Sequence, residues 1–293
     1  MDTQGRLWKN EYNIGEKKID AQHYQLFYKI ERLLYIAKSN EPVRLKQECN
    51  DIIEFLISYT IEHFAVEEAY QKKIKYVSYE QHKKIHDNFK NTVVLYQKQL
   101  NEDFSTKTLK AFIGTLLTWL VVHVCNCDKK IVKNEPLEPN ITFNNVEDII
   151  KNVAKKVMCD TYNIHINSIK TYMYKGFIDG KVYVKSLAMG DKNHVFIYGL
   201  SEELTKKLYT KLTSMSIKNM DALDEIESSA IKEMCNILSS YAIGIITKDN
   251  VSVIKFKENI YVGKYDTDSD LRNSVVVSLD TSIGKIEIMY CVK

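Results

Sequence analysis

Proline is almost missing from this chain: three in 293 residues, two of them close together at Pro136 and Pro139. Glycine is sparse too, at ten. Lys, Ile, Tyr and Asn are abundant instead, a composition that argues against disorder. Charge of one sign is lacking: 41 basic and 38 acidic residues leave a net +3. No basic tract or aromatic–basic stripe compensates, so there is no case for nucleic acid as a partner. Long apolar runs are lacking as well. The longest, Leu116–Cys125, is broken by Thr118 and contains His123. It is too short to cross a bilayer and reads as a buried core helix, so no membrane association is expected. Residues 1–8 lack the apolar stretch of a secretory signal. The six cysteines, Cys49, Cys125, Cys127, Cys159, Cys235 and Cys291, follow no framework spacing. A reduced, cytoplasmic protein is the better reading.

The length predicts two domains, and 45% hydrophobic residues suffice for two cores. The first half predicts four helices at about 19–38, 42–73, 79–100 and 106–130. In the second of these, Ile52, Ile53, Leu56, Ile57, Thr60, His63, Ala65 and Glu67 follow a helical period. Short connections favour antiparallel neighbours in an up-down bundle. The segment holding Pro136 and Pro139 ends the pattern. The expected organisation is a bundle at 1–134, a linker at 135–142 and a second domain at 143–293.

Five of the seven histidines fall in this bundle: His23, His63, His82, His86 and His123. Two carboxylates accompany them, Glu67 four residues after His63 and Asp128 five after His123. Residues four apart share a helix face. His63 and Glu67 therefore point one way together, as do His82 and His86. A spacing of five is about 140° around an ideal helix. For His123 and Asp128 to reach one site, either a π-bulge lies between them or Asp128 reaches in from the helix edge. Seven such donors suit two metal ions with one coordination position left open. Glu68 points about 100° from Glu67 and is a solvated or outer-shell acid. Cys125 and Cys127, two apart, form no chelate. His165 and His194 have no partners at ligand spacing and are ordinary residues.

The order His…HxxxE…HxxxH…HxxxxD resembles the hemerythrin family, specifically the bacterial hemerythrins. Trp8, the segment from Gly15 to His23 and the Trp119-Leu120 pair add to the likeness, which covers about residues 1–134. The resemblance implies two non-haem irons per chain joined by an oxo or hydroxo bridge, with O2 as ligand. His82, His86 and His123 would hold one iron, and His23 and His63 the other. Glu67 and Asp128 would bridge them. Leu120, and less so Leu116, would line the O2 pocket.

The second half predicts a helix at 146–159 and strands at 169–177, 181–188 and 195–198. Helices follow at 202–215 and 222–243, then strands at 251–256, 259–264, 275–279 and 284–291. This is α+β with a largely antiparallel sheet. Asp179-Gly180 is a tight-hairpin signal. On the later helix, Glu233 and Asn236 stand three apart and share a face. With Ser229 before them they resemble the active-site helix of the CheC/CheX/FliY chemotaxis phosphatases, in the single-helix CheX form. That resemblance covers about 143–293. It implies a phosphorylated CheY-like receiver domain as partner, bringing its own Mg²⁺. Asn236 would orient a water in line with the aspartyl phosphate, and Glu233 would engage a receiver lysine. Both should then be exposed on one helix face. The proline common before the next strand is absent from Lys248–Val253, a departure from the family pattern. A homodimer through this domain is a further option.

The favoured expectation is an oxygen or redox sensor regulating a receiver phosphatase. The alternative is oxygen storage, delivery or scavenging with a non-catalytic second domain. A di-iron oxidase or peroxidase is disfavoured, because such enzymes use more carboxylates.

Overall fold

The computed structural model describes residues 7–38, 42–137, 145–190, 192–247, 255–265, 271 and 274–293. The chain divides into two compact units, Met1–Asn140 and Ile141–Lys293. Most of the expected linker, with Pro139, lies outside the described residues, as does the segment Lys248–Val253.

The first unit is a four-helix bundle. Its helices are α1 (Lys17–Lys38), α2 (Pro42–Lys73), α3 (Tyr79–Glu102) and α4 (Thr106–His123). Helix α4 runs through a π-helical turn, Val124–Asp128, into the short α5 (Lys129–Lys133). Helix α1 packs on α2 and α4, and α3 on the same two, which is the ring order of an up-down bundle. Local chemistry sets the ends. Gly15 takes the left-handed conformation that favours glycine (φ +98°) and turns the chain into α1. There Asp20 accepts hydrogen bonds from the Ile14 and Gly15 amides. Ser105 caps α4 by accepting from the Thr108 amide. Asn134 closes α5 in the left-handed region. Helix α4 is covered on every side: every residue from Phe112 to Asp128 is buried. Apolar side chains all round fit that position, each fully buried Leu or Ile contributing about 1.5–3 kcal/mol. The stretch Thr106–Lys133 is long and apolar enough to cross a membrane, but 78% of its most apolar window is buried inside the protein.

The second unit is α+β. Helix α6 (Val146–Lys156) runs into a second π-helical turn. Six strands follow: β1 (Ile166–Met173), β2 (Val182–Met189), β3 (His194–Leu200), β4 (Lys255–Val262), β5 (Val275–Thr281) and β6 (Lys285–Val292). Helices α7 (Glu202–Thr213) and α8 (Glu225–Thr247) lie between β3 and β4 in the chain. The sheet order is β1-β5-β6-β3-β2-β4, antiparallel throughout. A reciprocal capping box starts α8: Asp224 accepts from the Ile226 and Glu227 amides, and Glu227 accepts from the Asp224 amide. Helices α6 and α8 pack on the sheet. Tyr183, Val195, Ile197, Val276 and Met289 belong to a further core cluster with Tyr174 and Ile178.

Two sequence expectations change here. Asp179-Gly180 does not join β1 to β2 in a hairpin, since β1 pairs with β5 and β2 with β3 and β4. The segment instead crosses the sheet, and Gly180 is needed for close approach: a Cβ there would meet Gly199 backbone at 2.9 Å. The separate strands expected at 251–256 and 259–264 are replaced by a single β4, Lys255–Val262. Residues 251–254 lie outside the described residues.

Candidate metal centre

Helical spacing brings the seven candidate residues together, all with 2% exposure or less. His23 comes from α1, His63 and Glu67 from α2, and His82 and His86 from α3. His123 ends α4, and Asp128 closes the π-helical turn. The five-residue spacing that an α-helix cannot accommodate is thus met by the wider turn at Val124–Asp128.

The Nε2 atoms of His82, His86 and His123 form a triangle 3.1 Å on each side. A point seeing the three at right angles, as in octahedral coordination, lies 3.1/√2, or about 2.2 Å, from each. The carboxylates divide their oxygens. Glu67 Oε1 lies 2.9 Å from His82 Nε2, while its Oε2 lies 3.5 Å from His63 Nε2. Asp128 Oδ1 lies 2.9 Å from His123 Nε2 and 3.2 Å from His82 Nε2, while its Oδ2 lies 3.2 Å from His23 Nε2. Each carboxylate therefore offers one oxygen to the three-histidine group and one to the two-histidine group. Despite these approaches, both Asp128 oxygens, Glu67 Oε2 and His23 Nε2 are buried without a directed hydrogen bond. Lone pairs converging on shared points, with few donors among them, are what a cation site requires. Two overlapping donor groups result: Glu67, His82, His86 and His123, and His23, His63 and Glu67.

Electrostatics agree with that chemistry. Burial, then neighbouring imidazoles, hold His63 and His86 well below the ordinary histidine range, so both are neutral and ready to donate a lone pair. Burial also pulls His82 down, but Glu67 and Asp128 carry it up to about 9. For His123, Asp128 and Cys127 likewise outweigh burial and hold it well above the ordinary range. Burial pushes the Asp128 carboxyl up, but His123, His23 and His82 together hold it well below the usual carboxylate range. Protons on His82 and His123 are what a bound cation would displace.

A supporting shell holds the donors. Gln71 Nε2 donates to Glu67 Oε1 at 2.7 Å. Gln22 Oε1 lies 3.3 Å from His63 Nδ1, and Glu68 Oε1 lies 3.1 Å from His86 Nδ1. Gln71 escaped the sequence reading, although its four-residue offset from Glu67 was available as a signal. Leu120 and Leu116 are buried on α4. Cys125 and Cys127 are buried and lie outside any disulfide. His194 is paired with the Tyr290 hydroxyl, 2.8 Å away.

In the second unit, Glu233 and Asn236 share a face of α8, with Asn236 Nδ2 3.4 Å from Glu233 Oε2. Both are half-buried rather than exposed, because α8 packs against β2 and the edge strand β4. Glu258 of β4 stands opposite Ser186 of β2, a buried residue, and cross-strand partners point to the same side of a sheet. Burial, then the Glu258 carboxylate, push Glu233 up to about 7. Glu258 was not foreseen, since only strand register brings it to the helix. Ser229 is buried.

Fold and site together define a helical-bundle cation-binding protein. Residues 15–133 match the family model described as the Hemerythrin HHE cation binding domain. The bacteriohemerythrin of Pseudomonas aeruginosa is 33% identical over 124 residues, 42% of this chain and 76% of that protein. That of Clostridium acetobutylicum is 29% identical over 127 residues, 43% of this chain and 98% of that protein. By its first unit the chain belongs to the hemerythrin family. Among solved structures, the chemotaxis protein CheX of Desulfovibrio desulfuricans aligns with 50% of this chain and 99% of its own, at 12% identity and a TM-score of 0.43.

Proposed function

We propose that the first unit holds two non-haem irons and binds O2, and that this state tunes a phosphatase in the second unit. The observation that carries the iron reading is the division of the Glu67 and Asp128 oxygens between the two histidine groups. His82, His86 and His123 would hold one ion and His23 and His63 the other, with Glu67 and Asp128 each offering an oxygen to both groups. The two-histidine group offers one imidazole fewer, which would leave a place for O2. When bound, the iron pair supplies reversible O2 binding. The protein's part is to keep the place dry: Leu120 and Leu116 are buried on the same helix as His123, and apolar walls slow oxidation by excluding water and protons. Seven ligands with only two carboxylates favour binding over oxidative turnover.

The phosphatase reading rests on Glu233 and Asn236 sharing a helix face and on their likeness to the CheC/CheX/FliY motif. Asn236 orients the attacking water. Glu233 engages a lysine of a phosphorylated CheY-like receiver, which brings Mg²⁺. The work is positioning rather than proton transfer. The setting is the cytoplasm, where receivers reside. The half-burial of Glu233 and its pKa near 7 favour a second reading, in which the second unit binds a partner without catalysis and the first stores or delivers oxygen.

One experiment separates the two. Apo-protein is reconstituted anaerobically with Fe²⁺, and dephosphorylation of a phosphorylated receiver is followed in deoxy, oxy and oxidised forms. Acceleration that differs among the forms supports the sensor. No acceleration of any co-encoded receiver in any form leaves the binding protein.

A further inference from the structure

The two donor groups differ behind their ligands as well as in number. On the three-histidine side, the carboxylate of Glu68 meets His86 Nδ1 at 3.1 Å. On the two-histidine side, the neutral amide oxygen of Gln22 meets His63 Nδ1 at 3.3 Å. Both imidazoles turn Nε2 toward the cluster, so both Nδ1 atoms are free to donate outward. His86 is also fixed in plane: Phe64 stacks on it with centroids 3.8 Å apart and rings 5° apart. Glu68 is 15% exposed, whereas His86 is fully buried. The acid thus reaches the site from the rim of the bundle.

A carboxylate that accepts the Nδ1 proton orients the ring, fixes its tautomer and makes Nε2 a stronger donor. An amide orients the ring with much less of the electronic effect. We infer that Glu68 is a positioning residue that makes the three-histidine iron site the more electron-rich of the two, so that the two irons differ in the ease with which they are oxidised. The inference rests on the di-iron reading and names what makes the two halves unequal.

The test compares wild type with Glu68→Gln and Gln22→Glu after anaerobic iron loading. Iron per chain is measured under chelator competition, and the midpoints of the two one-electron reductions are measured by potentiometry. Glu68→Gln keeps the shape and a hydrogen-bonding group but removes the charge. It should weaken iron retention by about 10–100-fold and raise one midpoint more than the other. Gln22→Glu should lower the opposite midpoint and narrow the gap. A purely structural role for Glu68 predicts unchanged midpoints once both irons are loaded, and that result overturns the inference. If wild type itself retains no iron pair, the di-iron reading fails instead, and the two failures are distinct.

Discussion

The indole of Trp119 lies flat against the imidazole of His123, with centroids 4.2 Å apart and planes 13° apart. Phe89 also stacks on that indole, with centroids 3.6 Å apart, and Phe64 does for His86 what Trp119 does for His123. Two corners of the nitrogen triangle are therefore held by packing, so the ligands need little rearrangement to receive an ion. Wild type should bind two irons per chain, and His86→Ala should bind fewer, measured by metal analysis after anaerobic reconstitution. One zinc, or no metal, in wild type would sink the iron reading.

Asn236→Ala should abolish receiver dephosphorylation while leaving the iron absorption spectrum and the melting profile unchanged. The side chain is half-buried on α8 and no donor in the iron group comes from that helix. A variant with full phosphatase rate removes Asn236 from the mechanism.

Receiver binding should depend on pH through Glu233. Its pKa is raised to about 7, by burial and by Glu258, and Lys232 acts on Glu258 in the opposite sense. A carboxyl with a raised pKa carries its charge only above that value. Affinity for a beryllofluoride-activated receiver should therefore weaken as pH falls through 7. In Glu233→Gln the dependence should flatten, as read by isothermal titration at pH 6 and 8. An equally steep profile in the variant would assign the titration elsewhere.

Gly199→Ala should destabilise the second unit. A Cβ at that position would sit 2.5 Å from the Asp179 carbonyl oxygen and 2.7 Å from Ile178 Cγ2. The crossing segment would have to move away from β3, at about 1–3 kcal/mol. Urea unfolding followed by circular dichroism should show it, with iron content unaffected. A midpoint equal to wild type would mean the crossing segment relaxes freely.

The donor set was legible in the sequence because helical spacing is local. Four-residue offsets at His63/Glu67 and His82/His86 fix a shared face wherever the helix goes, and the five-residue offset at His123/Asp128 pointed to a widened turn. Pairing in the sheet is not local. Strand β1 finds β5 about a hundred residues later, so Asp179-Gly180 looked like a hairpin when it was a crossing. Glu258 meets α8 only through the pairing of β4 with β2, and it explains why Glu233 is less open than a lone helix would leave it. Glu68 was placed off the ligand face by angle alone, yet its side chain is long enough to bend back to His86.

The turn at Val124–Asp128 also resets the phase of everything after it. In an unbroken α-helix, Ile131 would sit about 80° away from His123; absorbing one residue in the wide turn brings it to within about 20°. Ile131 is fully buried. The same single-residue slip that swings Asp128 toward the histidines thus returns the last helical stretch to the hydrophobic seam. Straightening the turn into regular α-helix with the residue retained would put ligand and core out of step together, whereas deleting one residue between His123 and Asp128 would let an ordinary α-helix keep both in phase, so the insertion and the wide turn are tied to each other.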